Sequence, residues 1–217
     1  MPVKVGLKYI EIWKESMEDR ICEYEKEVVD PGQIVFYGPS NFTRWSARHG
    51  MIPMREQLLG ASGKQCVVNR GFGSSCSEHQ LYYYPRMIRP LAPKVLVYSP
   101  CGNYSAFGYS EEEAWELAQR VIVWAKTDFP DIRIYLCGGK KGLKTTPERL
   151  EKIKLFNSWL EQYAAENENV FYLDSMNYEP LQRTDIFVAD GVHYNQDGYN
   201  LYADYFREML KDELAQF

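Results

Sequence analysis

No stretch of this chain approaches the roughly 20 apolar residues that a bilayer-spanning helix needs. It also lacks a basic excess: 25 Lys and Arg are outnumbered by 30 Asp and Glu, a net charge of −5 over 217 residues. That balance gives no electrostatic footprint for nucleic acid or for an anionic membrane. Cysteines are few, odd in number and irregularly spaced (Cys22, Cys66, Cys76, Cys101, Cys137), with no Cys-x-x-Cys pair, and the histidines are only His49, His79 and His193. Neither a structural zinc site nor a disulfide framework fits that set, and free thiols are the expectation. Glu11, Lys14, Glu15, Glu18, Asp19 and Arg20 interrupt any leader-like apolar segment, so a cytoplasmic location is expected. No internal repeat or low-complexity linker appears. The length suits one domain over residues 1–217, with residues 1–30 forming a helix packed on it.

What is present is an alternation. Five short runs rich in Val, Ile, Leu, Tyr and Phe read as strands: Gln33–Tyr37, Cys66–Asn69, Lys94–Tyr98, Ile132–Leu136 and Val170–Leu173. Most show no polar alternation, as expected of parallel strands buried on both faces. Between them lie helical stretches. Lys8–Val28 carries Ile10, Trp13, Met17, Ile21 and Tyr24 near helical spacing. Ser110 with Glu113 three residues later forms a capping box for a helix to about Thr127. Thr146-Pro147 opens another to about Glu166, and Asn195-Gln196 opens the last. Glu78 and His79 open a further helix. Strands alternating with helices predict an α/β fold, a three-layer α/β/α sandwich around a parallel five-stranded sheet. In such folds ligands gather beyond the C-terminal strand ends, where Ser40, Gly73–Ser75 and Asn103 fall.

The most informative stretch is Asp190-Gly191-Val192-His193, before the last helix. A carboxylate and an imidazole at this spacing in a loop can meet side by side, leaving the second ring nitrogen free to take a proton. Far upstream, the apolar run Ile34–Gly38 leads through Pro39 to Ser40. Serine, then acid, then histidine reads as a hydrolase triad. The α/β-hydrolase elbow does not fit, because Gly38-Pro39-Ser40-Asn41-Phe42 lacks its second glycine and lies too early.

Four ordered blocks resemble the SGNH hydrolase superfamily of GDSL-type esterases and lipases: Tyr37-Gly38-Pro39-Ser40, Val68–Ser75, Tyr98–Asn103 and Asp190–His193. The resemblance covers nearly the whole chain and implies one flavodoxin-like domain. It implies ester hydrolysis through an acyl-serine, with Ser40 as nucleophile, His193 as base and Asp190 as its orienting acid. The oxyanion donors it implies are the backbone N–H of Ser40, a second-block N–H that counting from Asn69 places at Ser74, and the Asn103 amide. It calls for no metal or organic cofactor, and its partner is a small ester, a short-chain acyl compound or an acetylated carbohydrate; oligomeric state is not readable. The chain departs from the family in three places. Pro39 stands where an Asp is common, Ser74 where a Gly is usual, and Tyr104 where an acid often follows the Asn. Those departures keep a second class open, a non-catalytic protein of the same fold binding a carbohydrate or acyl ligand. A flavodoxin-like redox module lacks its phosphate-cradling loop, since Gly71-Phe72-Gly73 is followed by Ser74-Ser75. Arg44, Arg70, His49, His79 and most tyrosines read as structural groups, and 137–146 and 175–189 as loops walling a pocket.

Overall fold

All five expected strands form, most of them shifted by a residue or two: β1 (Ile34–Gly38), β2 (Val67–Gly71), β3 (Val95–Tyr98), β4 (Arg133–Cys137) and β5 (Val170–Leu173). A computed structural model describes residues 14–217. Every neighbouring pair is parallel, in the order β2-β1-β3-β4-β5. β1 continues one residue and β2 two residues beyond their expected ends because the ladder persists to the pair Gly38–Gly71.

Around the sheet lie α1 (Lys14–Glu25), α2 (Ser40–Thr43), α3 (Met54–Gln57), α4 (Ser77–Met87), α5 (Glu111–Asp128), α6 (Pro147–Glu166), α7 (Gln196–Met209) and α8 (Lys211–Leu214). Alternate side chains of each strand enter opposite cores. Val35, Tyr37, Leu96, Tyr98, Ile134 and Leu136 join residues of α1, α4, α5 and α6. Ile34, Phe36, Val95, Val97, Tyr135 and Cys137 join Trp45 and the Tyr199, Tyr202 and Phe206 face of α7. Burial of each such side chain contributes about 1.5–3 kcal/mol. Helices on both faces of a parallel sheet make the expected three-layer, flavodoxin-like sandwich. Among the described residues no helix is long and apolar enough to cross a membrane.

The first helix was expected over Lys8–Val28; residues 8–13 lie outside the described residues, and the helix stops at Glu25 in a tighter turn (Lys26 N–H to Glu23 O, 3.2 Å). Met17, Ile21 and Tyr24 are buried, and the Tyr24 hydroxyl donates to Gly71 O at 2.6 Å. The caps at Ser110, Thr146 and Asn195 form as their residue types dictate, each side chain accepting an N–H of the first turn. Most of the tyrosines behave as core: Tyr83, Tyr84, Tyr194 and Tyr199 are buried and Tyr178 packs on Tyr205, while Tyr82 is exposed.

In this strand order the chain reverses direction across the sheet between β1 and β3, and a crevice opens beyond their C-terminal ends. Ser40 follows β1 there, and Asn103 follows β3.

Candidate active site

Two glycines let the chain turn sharply at the top of β1. A Cβ on Gly71 would lie 2.5 Å from Thr43 N and 2.6 Å from Phe42 Cβ, and one on Gly38 would lie 2.8 Å from Ser99 Cβ. With neither present, α2 sits directly above the strand ends, anchored by Phe42 in the core. Pro39 is extended (φ −82°, ψ −154°), and Ser40 is the first residue of α2. At that position a backbone N–H has no carbonyl within its own helix to bond. The Pro39 ring packs against Gly102, where a Cβ would lie 2.8 Å from Pro39 Cγ. The proline therefore joins the β1 turn to the β3 turn.

His193 is presented by a tight loop. An antiparallel bridge pairs Phe187 with Tyr194, Val188 N–H donates to His193 O at 2.9 Å, and Gly191 takes φ 70° between them. Asp190 Oδ1 accepts the N–H groups of Val192 (2.8 Å) and His193 (2.9 Å), while Oδ2 lies 2.7 Å from His193 Nδ1. An ionised carboxylate only accepts, so the ring proton sits on Nδ1. Nε2 then presents a lone pair to the Ser40 hydroxyl, 2.8 Å away. Ser40, 153 residues before His193, thus joins the Asp190–His193 pair in one continuous hydrogen-bonded line.

Electrostatics keep this line in its base-ready state. Partial burial works to raise the Asp190 pKa, but the bonds from the His193 ring and from two backbone N–H groups outweigh it, holding the carboxyl well below its ordinary range. Burial also lowers the His193 pKa; Arg44 and Lys140 push the same way, against the pull of Asp190, and the net value lies below the ordinary 6.5. The imidazole is therefore neutral at pH 7. Arg44 Nη1 stands 3.6 Å from Asp190 Oδ2, a half-exposed contact of small energetic weight.

The expected oxyanion donors are placed unequally. Asn103 lines the same cleft as Ser40, with left-handed backbone (φ 56°) and its amide donating to Ser75 O at 3.0 Å. Ser74 is exposed, also left-handed (φ 60°), and is not among the residues lining that cleft. Glycine tolerates this conformation freely; serine is strained by about 1–2 kcal/mol. The two turns are tied together from below by buried Gln80, whose amide lies 3.3 Å from Ser99 O and 3.4 Å from Ser75 Oγ.

The cleft beside Ser40 has a volume of about 380 Å³. As expected, the loop after β4 forms a wall, supplying Gly139, Lys140, Gly142 and Lys144. The 175–189 segment instead lines a neighbouring hollow of about 310 Å³, through Ser175, Met176, Leu181 and Phe187. Three contributors have no signature in the sequence. Asn157, buried in α6, clamps the loop by accepting from Gly139 N–H (2.7 Å) and donating to Gly139 O (3.1 Å). Lys140 bonds Val192 O, covers the Tyr194 ring at 4.1 Å, and has its pKa pushed down to about 7 by burial. Arg149 reaches the cleft from the first turn of α6. The other basic and imidazole groups lie elsewhere: Arg70 is buried against Glu27 (2.5 Å), His79 caps α4 through Cys76 N–H (3.3 Å), and His49 is exposed.

The family model of the GDSL-like lipase/acylhydrolases matches residues 37–201, three quarters of the chain and the whole span from Ser40 to His193. This chain belongs to the GDSL-like lipase/acylhydrolase family. Membership sets ester hydrolysis as its general chemistry. Solved structures agree on the fold. A GDSL-like lipase from Bacteroides thetaiotaomicron superposes with a TM-score of 0.68 at 18% identity, over 93% of this chain and 98% of that one. A lipase/acylhydrolase from Enterococcus faecalis gives 0.66 at 16% identity, over 84% and 96%. The esterase EstA from Pseudoalteromonas gives 0.65 at 10% identity, over 84% and 98%. A search of curated protein sequences finds no match.

Proposed function

We propose that the protein is a serine-dependent carboxylic ester hydrolase acting through an acyl-serine intermediate, on a short-chain acyl ester or an acetylated carbohydrate. The observation that carries this reading is the line Asp190–His193–Ser40, with contacts of 2.7 and 2.8 Å, opening into a cleft at the sheet's switch point. Ser40 Oγ attacks the carbonyl carbon as its proton passes to His193 Nε2. Asp190 stabilises the imidazolium so formed. The tetrahedral intermediate collapses, the C–O bond to the alcohol breaks, and His193 returns the proton to the departing oxygen. Water, deprotonated by the same imidazole, then attacks the acyl carbon, the bond to Ser40 Oγ breaks as His193 returns the proton to that oxygen, and the acid leaves. The donors assigned to the oxyanion are the Ser40 N–H, the Ser74 N–H, and the second amide hydrogen of Asn103, the first being bonded to Ser75 O. No step calls for a metal or an organic cofactor.

One observation favours a second reading. Ser74 stands off the cleft, and Asn103 is already committed to a backbone carbonyl. A protein of this fold that binds a carbohydrate or acyl ligand without turnover would tolerate both. Hydrolysis of p-nitrophenyl acetate and longer esters, wild type beside Ser40→Ala, separates the two. Turnover lost in the variant supports the esterase. Equal, background rates in both favour the binding protein.

A further inference from the structure

The chain as a whole is acidic, with 30 acids against 25 bases, yet the cleft beside Ser40 is lined by Lys140, Lys144 and Arg149 and by no acidic residue. The neighbouring acids stand off this lining. Asp190 is bonded to His193, while Glu111 and Glu148 face Lys152 at 3.5 and 3.9 Å. Among the described residues neither Lys144 nor Arg149 forms an ion pair with an acid. Arg149 is nonetheless held in place. Its guanidinium carbon lies 4.9 Å from the centre of the Tyr104 ring, and Nη1 donates to Ser105 Oγ at 3.1 Å, leaving further N–H donors for a ligand. The positive end of the 20-residue helix α6 opens on the same wall at Thr146. Lys140 closes the other side, its ammonium turned to Val192 O beside His193.

We infer that this wall recognises a negatively charged group on the substrate, so that the preferred esters carry a carboxylate or a phosphate near the reacting carbonyl. This inference rests on the esterase reading and narrows its substrate class. A guanidinium fixed on an aromatic face pairs with either anion through two parallel N–H bonds, losing little side-chain freedom when it does so. A neutral acyl ester leaves the charges of Lys144 and Arg149 on this wall without an anionic partner, whereas an anionic one supplies it. A cationic ester adds a like charge.

Binding is read apart from turnover by titrating Ser40→Ala calorimetrically with four esters: 4-acetoxybenzoate, 2-acetoxyethyl phosphate, phenyl acetate and acetylcholine. The expected result is that at least one anionic ester binds about tenfold or more tightly than phenyl acetate, and acetylcholine most weakly. Tenfold is about 1.4 kcal/mol. The tighter of the two anionic esters identifies carboxylate or phosphate as the group read. Adding Arg149→Glu, or Lys144→Glu at the exposed end of the wall, brings the anionic-to-cationic ratio close to one. Raising salt from about 50 to 500 mM shrinks the ratio in the parent and not in these variants. A thermal melt verifies that each variant is folded. Equal binding of all four esters, or an anionic preference untouched by both charge reversals, overturns the inference. Turnover of the same esters by the wild type is scored separately. Anionic preference without any hydrolysis would sink the esterase reading and leave the charge selection standing, while hydrolysis without preference would do the reverse.

Discussion

Replacing Asp190 by asparagine preserves the shape of the side chain and alters a single donor pattern, and its effect can be worked through from the hydrogen bonds. The amide has two possible orientations. If its oxygen keeps the Oδ1 site, the bonds from Val192 and His193 N–H survive and the NH₂ group faces His193 Nδ1. If the amide is flipped, the NH₂ faces two backbone N–H groups and both bonds are lost, at about 1–3 kcal/mol each. The first orientation wins. An NH₂ facing Nδ1 must donate, so the ring proton moves to Nε2 and points at Ser40 Oγ, 2.8 Å away. The imidazole can then no longer accept the serine proton. Such a tautomer reversal costs about 10⁴ in rate, or about 5.5 kcal/mol of barrier. The effect on stability is far smaller. Three charge-assisted bonds become neutral ones and the half-exposed Arg44 contact is lost, together about 2 kcal/mol, a fall in Tm of about 4–8 °C. The assay is kcat/KM on p-nitrophenyl acetate with a thermal melt of the same preparation. A variant within tenfold of wild type, melting normally, would refute the tautomer argument.

Three further outcomes are expected. A pH profile of kcat/KM rises to a plateau, because protonated His193 cannot accept from Ser40; burial depresses its pKa, so the acidic limb falls below 6.5, and a limb above pH 7 would contradict the assignment. Ser74→Gly relieves the left-handed backbone at φ 60° and, after the extra chain entropy of glycine, raises stability by about 0.5–1 kcal/mol in denaturant melts. An unchanged midpoint would show that the turn carries no strain. Gly71→Ala places a methyl 2.5 Å from Thr43 N, which is backbone and cannot rotate away, so unfolding experiments should show a loss of about 2–3 kcal/mol with displacement of the Ser40 turn; a loss under about 0.5 kcal/mol would mean that α2 has room to move.

Strands were the most legible part of the fold, because a strand buried on both faces has to be apolar without interruption, and Ile34–Tyr37 or Lys94–Tyr98 can be read as little else. Their ends were less clear: β1 and β2 run on to Gly38 and Gly71 through register with each other, a partnership that no single segment encodes. Helix α4 could be read only at its start, since Pro85 in its final turns masks the rest. Ser40, Asp190 and His193 could be singled out because their order and local spacing are chemical requirements. Asn157, Lys140 and Arg149 could not. A buried amide at mid-helix and cations in or beside a glycine-rich loop look like any solvated polar residue until the loop's path is known. Pro39 read only as a departure from the family's common Asp, and its packing on Gly102 became apparent only when the β3 turn was brought beside it.

The account stands or falls on whether Ser40 is a nucleophile. The direct measurement is treatment of the native protein with a fluorophosphonate, followed by mass mapping of its peptides, with Ser40→Ala and His193→Ala alongside. The prediction is a single stoichiometric adduct on Ser40 that blocks ester hydrolysis, absent in the first variant and slowed at least a thousandfold in the second. An unlabelled wild type, or label on another residue with hydrolysis intact in Ser40→Ala, would contradict it.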